Sequence, residues 1–529
     1  MDYHKKLHPP ISTELREAPI TLYVSSTLDP TKLYLTTFDV ANENVLHNIN
    51  ILNISEFFNA KFCSIINAVI FNMFELQHRD FNTELKRQET LIELLRQHGV
   101  PHVFMRTEEI FGTMSLINAE IVSVVGEIIL CVCVIIKELI VLEMERKSDG
   151  YYIRQRRDID CENETNFKKL KKQILGSCKL SKIIVSPVIP SSNKSLTNLV
   201  REKILQNEDI IVIDNEYEKN MVKFITAIVG HIFDKVINEW HIFPRSHSTY
   251  AISTSESPAS LDEAFIVVHE NETLPLEKSI FIPRSKSTFY VTYINSQTKQ
   301  YEKVRTCESP VTTKFDFHKI KLSFIIDENN IPFLYQQKVN MPEIEALPTK
   351  LNKIQNLKIP VIAFFDNSAV ICIKKDNEYK FLESLNRLYG GDIFVSFNQE
   401  KPVLIPEMPA SNNSQSVLKA SDIFKIMSVP CENIIVDEKW NFEITSNDEN
   451  PVLLAFKNFD GTFIAASPAL IMAIIIKQFL KIIKKEIGVK VENIGILHFD
   501  KFDDEKKKKR IQSQLQEACS LLKLDCQIL

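Results

Sequence analysis

The sequence predicts a multi-domain chain in which α/β modules flank an all-β sandwich. Three observations carry this reading. Strand-like runs interleave with amphipathic stretches of helical spacing up to about residue 238 and again beyond 360. Between 240 and 339 the texture changes to short strands with turn residues between them. Residues 340–358 are polar and Pro-punctuated, as expected of a linker. At 529 residues, 44% hydrophobic and 25% charged, the chain has enough apolar matter for several cores and an ordinary surface. The implied organisation is 1–238, 239–340, a linker at 341–360, and 361–529.

Residues 20–53 alternate apolar and polar positions (ITLYV, KLYLTTFDV, NVLHNINIL), which predicts successive antiparallel strands. Ser55 precedes FFNAKFCSIINAVIFNMFEL, 57–76, whose apolar spacing predicts a helix capped by that serine. More helix is expected over 78–97 and from 106 onward. Ile121 to Leu142 is long enough to span a bilayer, but Glu127, Lys137 and Glu138 interrupt it. It is therefore expected as a buried helix running into a strand. ELIVLEMER and YYIRQRRDI form a hairpin around Asp149-Gly150. Helices at 164–175, 195–206 and 216–237 alternate with the strands KIIVSPVI and IIVID.

The middle module reads TYAIST, EAFIVV, KSIFIPRS, TFYVTYI, QYEKVRT, KLSFIID and IPFLYQQKV as strands. Asp327 to Asn330 make a tight turn, with Asn330 at a left-handed position. Beyond 360, PVIAFFD, AVICIKK and EYKFLESL form a meander, 403–416 is loop-like and IIVDEKWNFEI is strand-rich. Ser467-Pro468 caps the helix LIMAIIIKQFLKIIKKEIG. NIGILHF is a buried strand, Asp503-Asp504-Glu505 opens a last helix, and LDCQIL closes the chain as a strand. No internal sequence repeat is evident.

Net charge −5 and a pI near 6.2 argue against a nucleic-acid binder, and no segment demands a membrane. The ten cysteines include no C-x-x-C pair and no metal-ligand spacing, so no metal is expected. Cys131 and Cys133 read as buried small hydrophobes. The opening residues show no secretory pattern, which points to the cytoplasm or nucleus with free thiols. Lys506 to Arg510 reads as the solvated face of a helix, with a localisation or ribosome-touching patch as the alternative. Glycine is scarce: there are 11, where average usage of roughly 7% would give about 37. Few positions are therefore available for loops that approach a phosphate closely.

Residues 467–529 resemble the first lobe of the nucleotide-binding domain of the heat shock 70 kDa (DnaK-type) chaperones, together with KWNFEI at 439–444 and SVLKASDIFK at 416–425. TLPLEKSIFIPRSKSTFYVTY and KLSFIIDENNIPFL are similar to that family's peptide-binding β-sandwich. The N-terminal module is similar to its second lobe. LHFDKFDDEKKKK and a sandwich without a helical lid lean toward the divergent lidless subgroup, heat shock 70 kDa protein 14-like. The resemblance implies actin-like ATPase-fold lobes plus a sandwich, in a permuted order: lobe II, sandwich, lobe I. A circular permutation and a fusion of tandem fragments both account for that order.

The resemblance also assigns positions. The family's first phosphate loop falls on FFDNSA, with Asp366, Asn367 and Ser368, and its second on VSSTLD, with Ser25, Ser26 and Asp29. Its Gly-Gly-Ser turn falls on Ser191 and Ser192, its catalytic lysine on Ser421, its adenine clamp on Leu130 to Ile135, and its interlobe proline on Phe499. None of these loops keeps a glycine. Phosphoryl transfer is mostly positioning and electrostatics, so loss of the positioning groups implies no catalytic residues and no bound cofactor. The expectation is a degenerate, non-catalytic chaperone-associated scaffold. An ATP-dependent chaperone using ATP and Mg²⁺ is the alternative, and a decaying gene copy a third. J-domain co-chaperones, the ribosome or unfolded polypeptide are the partners implied. Asp262 and Glu263, near the would-be peptide cleft, argue against peptide binding. Trp240 is expected to pack between modules.

Overall fold

The computed structural model describes residues 20–26, 33–42, 44–51, 66–72, 81–161, 166–189, 192–213, 216–234, 239–258, 260–284, 286, 288–295, 298–308, 316–405, 417–437, 440–499 and 504–529. It is a mixed α/β, multi-domain protein with several sheets. The chain divides into two compact units. One comprises Met1–Lys278, Tyr290–Arg305 and Phe324–Leu334; the other comprises Ser279–Phe289, Thr306–Ser323 and Tyr335–Leu529.

The first unit opens with a sheet of β1 (Ile20–Ser26), β2 (Leu33–Asp39), β3 (Asn44–Ile51), β4 (Ile66–Asn72) and β5 (His102–Phe104), ordered β3-β2-β1-β4-β5. The first three strands are an antiparallel meander, and β4 and β5 run parallel to β1. Helices α1 (Phe81–Gln97) and α2 (Thr107–Asn118) flank β5 in sequence. A second sheet follows, of β6 (Ile128–Val134), β7 (Glu138–Arg146), β8 (Tyr151–Asp160), β9 (Lys182–Pro187) and β10 (Ile210–Val212). Its order, β10-β9-β6-β7-β8, is the same path, again with an antiparallel meander and two parallel additions. Helices α3 (Phe167–Leu175), α4 (Lys194–Leu199) and α5 (Tyr217–Phe233) complete this half.

Both sheets are buried on both faces. In the first, Leu22, Val24, Val69 and Phe71 pack under Leu85, Leu91 and Leu95 of α1. Tyr23, Ala68 and Ile70 face the opposite way, into a core shared with α2 and α5. In the second, Leu130, Val132 and Val134 meet Leu170 and Ile174 of α3, while Ile129, Cys131 and Cys133 join the shared core. Both cysteines are therefore buried apolar fill, as expected. The span 1–238, expected as one lobe, thus holds two sheets of identical connection.

Two helix expectations fail here for the same reason. The helix at 57–76 is replaced over Ile66–Asn72 by strand β4; the rest of that stretch, with Ser55, lies outside the described residues. Residues 121–127 are irregular, with a turn at Val125 and Gly126, rather than a helix, and lead directly into β6. A central strand covered on both faces is largely apolar, so INAVIFN and IILCVCV carry too little alternation to separate them from buried helix. The hairpin at Lys147 to Gly150 forms as expected, closed by Lys147 N–H donating to the Gly150 carbonyl at 2.8 Å. Trp240 packs against the shared core of this unit.

All seven strands expected in the middle module are present. Leu276–Pro283, Lys319–Ile326 and Pro332–Val339 form one sheet. Ile266–Val268, Tyr250–Ser253, Thr288–Ile294 and Tyr301–Glu308 form the other. Within the first unit, Tyr250 of one sheet packs on Phe324 of the other, with ring centroids 5.8 Å apart. The turn at Asp327 is tight: its Oδ1 accepts the Asn329 and Ile331 amides at 2.9 and 2.8 Å, and Asn330 takes φ 61°.

The second unit repeats the path once more. Strands β11 (Val361–Phe365), β12 (Ser368–Lys375), β13 (Glu378–Phe381), β14 (Asn493–His498) and β15 (Asp525–Ile528) are ordered β13-β12-β11-β14-β15, with Gly391–Asp392 added against β12. Before β11, residues of the expected linker form α6 (Pro342–Glu345) and α7 (Leu347–Asn352). Met341, Ile344, Leu347, Leu351 and Leu357 are buried against Val361, Ala363 and Phe365 of β11. The polar, Pro-punctuated texture concealed an apolar residue at almost every third or fourth position. The other face of the sheet buries Ile362, Phe364, Ile371 and Ile496 under α8 (Ala420–Ser428), α9 (Pro468–Ile487) and α10 (Glu505–Leu521). Ser467 caps α9, its hydroxyl accepting the Leu470 amide at 3.2 Å, and Asp504 caps α10. Among its described residues IIVDEKWNFEI is less regular than expected, with strand only from Glu443 onward. Lys506 to Lys509 are exposed on α10. Among the described residues no helix is long and apolar enough to cross a membrane.

Leu351→Ala tests the packing of the expected linker. Removing a fully buried leucine should cost about 2–5 kcal/mol in denaturant unfolding, whereas a linker position would be neutral.

Candidate functional site

Three of the positions singled out by sequence, Asp366, Asn367 and Ser368, form the turn between β11 and β12 and begin β12. The turn is built without glycine. Asp366 takes φ 48°, a left-handed conformation that Asp tolerates better than most side chains. Asn367 is fully buried: its carbonyl accepts the Ile393 amide at 2.7 Å, and its Oδ1 accepts the Ser421 amide at 3.1 Å. The fourth position, Ser421 at the start of α8, is therefore brought to the same turn. A glycine lies alongside it for another purpose. Gly390, at φ 68°, lies so close to β12 that a Cβ would sit 2.3 Å from the Ala369 carbonyl oxygen.

The interior of the turn is occupied by Arg284, which is 2% exposed. Its Nη2 donates to Ser368 Oγ at 2.9 Å and to Asp392 Oδ1 at 2.8 Å, and its Nε donates to the same carboxylate oxygen at 3.2 Å. Nη1 donates to the Phe317 and Tyr389 carbonyls at 2.9 and 2.7 Å. Every N–H of the guanidinium is committed. Ser368 Oγ in turn donates to Asp392 at 2.6 Å, and the guanidinium lies 5.2 Å from the centre of the Phe365 ring. Burial lowers the pKa of Arg284, while Asp392 opposes that shift. His318 closes one side, with Nε2 2.8 Å from the Leu388 carbonyl and Nδ1 accepting the Met341 amide at 2.9 Å. Burial pushes its pKa down. This is a closed polar lock, and its arginine and aspartate had no signal in the sequence pattern.

The remaining positions separate. Ser25 and Ser26 end β1 in the first unit, and Ser191 and Asp29 lie outside the described residues. Ser192 belongs to the second sheet: its Oγ donates to the Val134 carbonyl at 2.8 Å and accepts the Ile189 amide at 3.1 Å. Asn193 likewise donates to the carbonyls of Ile135 and Ile136. The serine turn therefore sits on the β6–β7 turn, Ile135 to Lys137, rather than on the same sheet as Ser25 and Ser26. The β6–β7 turn was not singled out from the sequence; Leu130 to Ile135, where the resemblance puts the adenine clamp, form the buried strand β6 and its exit. The three-strand meander from 128 to 160 was the available signal. Phe499 packs against the core under β11.

The first unit carries a separate buried charge centre at the N-terminus of α2. Glu108 is fully buried and receives Arg106, Arg156 and Arg245 at 3.1, 3.0 and 3.2 Å. Burial alone would raise its pKa, but the three arginines together hold it below the usual value. Glu109, 2% exposed, accepts the Arg106 amide on Oε2 at 2.9 Å. Burial, and then repulsion by Glu108, push its pKa up to about 8.

Among the described residues no group of three or more His, Cys, Asp or Glu side chains is placed to hold a metal. A scan of the chain against protein-family models finds no match, and a search of curated proteins finds none either.

Two measurements follow from these centres. Arg284→Met leaves Asp392 buried without its counter-charge and should cost about 3–5 kcal/mol in urea unfolding, most of it recovered in the double variant Arg284→Met/Asp392→Leu. For Glu109, the folded chain holds a proton that the unfolded chain releases above its ordinary pKa of 4.5. Its contribution to stability is therefore complete below pH 4.5 and is lost as pH rises toward about 8. Relative to Glu109→Gln, the wild type should lose on the order of 4 kcal/mol across that window, read from unfolding curves at several pH values.

Proposed function

We propose that this chain is a non-catalytic interaction or scaffold protein, a degenerate relative of the heat shock 70 kDa chaperones that keeps actin-like lobes and has lost their ATPase. The observation that carries the reading is the Asp366–Ser368 turn. Where the family's first phosphate loop falls, a fully bonded Arg284–Asp392 pair fills the interior, and the nearby Gly390 presses against β12 instead of opening a cradle. A phosphate there would have to displace a buried ion pair, which is strongly unfavourable without replacement partners. Repetition of one strand path three times supports lobe-like modules, two of them within 1–238. It also favours tandem fragments over circular permutation. Two such sheets followed by a β module already give lobe, lobe and sandwich in the family's order, and 361–529 is a further lobe.

J-domain co-chaperones and the ribosome, in the cytoplasm, are the partners this reading implies. Calorimetry with Mg-ATP tests it: no binding heat is expected under conditions that detect micromolar affinity. Micromolar or tighter binding would establish the ATP-dependent chaperone reading in its place. Absence of cooperative unfolding would favour the decaying copy.

A further inference from the structure

The loop that enters β6 presents apolar side chains to water. Val122, Val124 and Val125 are 83%, 71% and 61% exposed. Single exposed valines are ordinary, but three within four residues form a patch that asks for a partner. The tip is built rather than loose. The Val124 amide donates to Glu127 Oε2 at 2.9 Å, the Glu127 amide to the Val124 carbonyl at 3.0 Å, and the Gly126 amide to the Arg146 carbonyl at 2.8 Å. Gly126 takes φ 93°, which that turn requires.

The segment beside this loop is strongly basic. Residues 166–205 contain nine lysines and arginines and one acid, Glu202, a net +8 within a chain of net −5. Helix α3, and the helix that begins as α4 and continues to Ile204, cover one face of the second sheet through Leu170, Ile174, Leu196, Val200 and Ile204. Their charges are left outside. Lys168, Lys172, Lys179, Lys194 and Lys203 are exposed and meet no acidic side chain among the described residues. Lys171 pairs with Glu208 at 2.7 Å, which leaves Asp209 as the exposed acid beside it. Lys182 joins the basic segment to the valine loop: its Nζ donates to the Val122 carbonyl at 3.1 Å, and the Ser181 amide donates to the Ile128 carbonyl at 2.8 Å.

We propose that this corner of the first unit docks on a bilayer surface containing anionic phospholipid. The valine turn enters the headgroup boundary, while Lys172, Lys179 and Lys182 face the lipid phosphates. A bilayer is the partner that uses both features, since apolar burial and attraction to anionic lipid add together at its surface. A nucleic acid would meet the lysines and leave the valines in water. The valines also stand outward instead of lining a groove, which suits insertion rather than the gripping of a partner's side chain.

Flotation of the full chain with vesicles tests this, using phosphatidylcholine alone and phosphatidylcholine mixed with phosphatidylserine. Binding is expected to the mixed vesicles only, and it should fall as salt is raised. Lys172→Glu/Lys179→Glu should weaken it at least about ten-fold. Val122→Ser/Val124→Ser/Val125→Ser should weaken it at least about ten-fold as well. All five side chains are exposed, so thermal unfolding of both variants should match the wild type. No binding to the mixed vesicles, equal binding to both kinds, or unchanged binding in the valine variant would overturn the proposal. Retention of a short RNA by the lysines without vesicle binding would also overturn it and make this a nucleic-acid surface. Should the triple variant fail to fold, Val124→Ser alone and the lysine variant decide the matter. No nucleotide is present in the assay, so the outcome is independent of whether ATP binds.

Discussion

A strand covered on both faces carries mainly apolar side chains, and the three sheets that share one strand path are organised around such strands. In each, the first strand of the meander lies beside a parallel strand from farther along the chain: β1 with β4, β6 with β9, β11 with β14. Successive residues of β6 alternate between two different cores, Leu130 and Val132 entering one while Cys131 and Cys133 enter the other. The same holds for Val361 and Ala363 against Ile362 and Phe364 in β11. Helices must cover both sides, which is why even the segment before β11 is drawn down onto the sheet.

That constraint carries through to the turns. The hairpin leaving a doubly buried strand emerges from a crowded interior, so its side chains either face a ligand cradle or must be satisfied internally. At Asp366 to Ser368 the chain takes the second course. Arg284 brings in five donors, and Asp392, Ser368 and two carbonyls receive them. The β6–β7 turn reaches the same result with neutral groups, through Ser192 and Asn193. Glycine scarcity fits this: a turn closed by side chains has no need of bare backbone. Where glycine is retained at 390, it serves a backbone approach between strands.

Different parts of the structure were legible to different degrees. In the middle module Lys319–Ile326 alternates cleanly because it has one covered face, and all seven strands were found. Caps with their own chemistry, Ser467 and Asp504, were equally plain. INAVIFN was misread because a doubly buried strand has no period to display. At the candidate turn, Asp366, Asn367, Ser368 and Ser421 could be assembled by resemblance. Arg284 and Asp392 could not, since 108 positions separate them and neither stands in a recognisable motif.

By itself the sequence determined the class of most segments, the turn residues and helix caps, and the scarcity of glycine. These are local properties, set by side chains and backbone within a few residues of one another. The repetition of one strand path, the lock around Arg284 and the buried charge centre at Glu108 and Glu109 were decided only by tertiary structure. Each depends on which distant segments share a core, and burial imposes its demand for partners only once that core has formed.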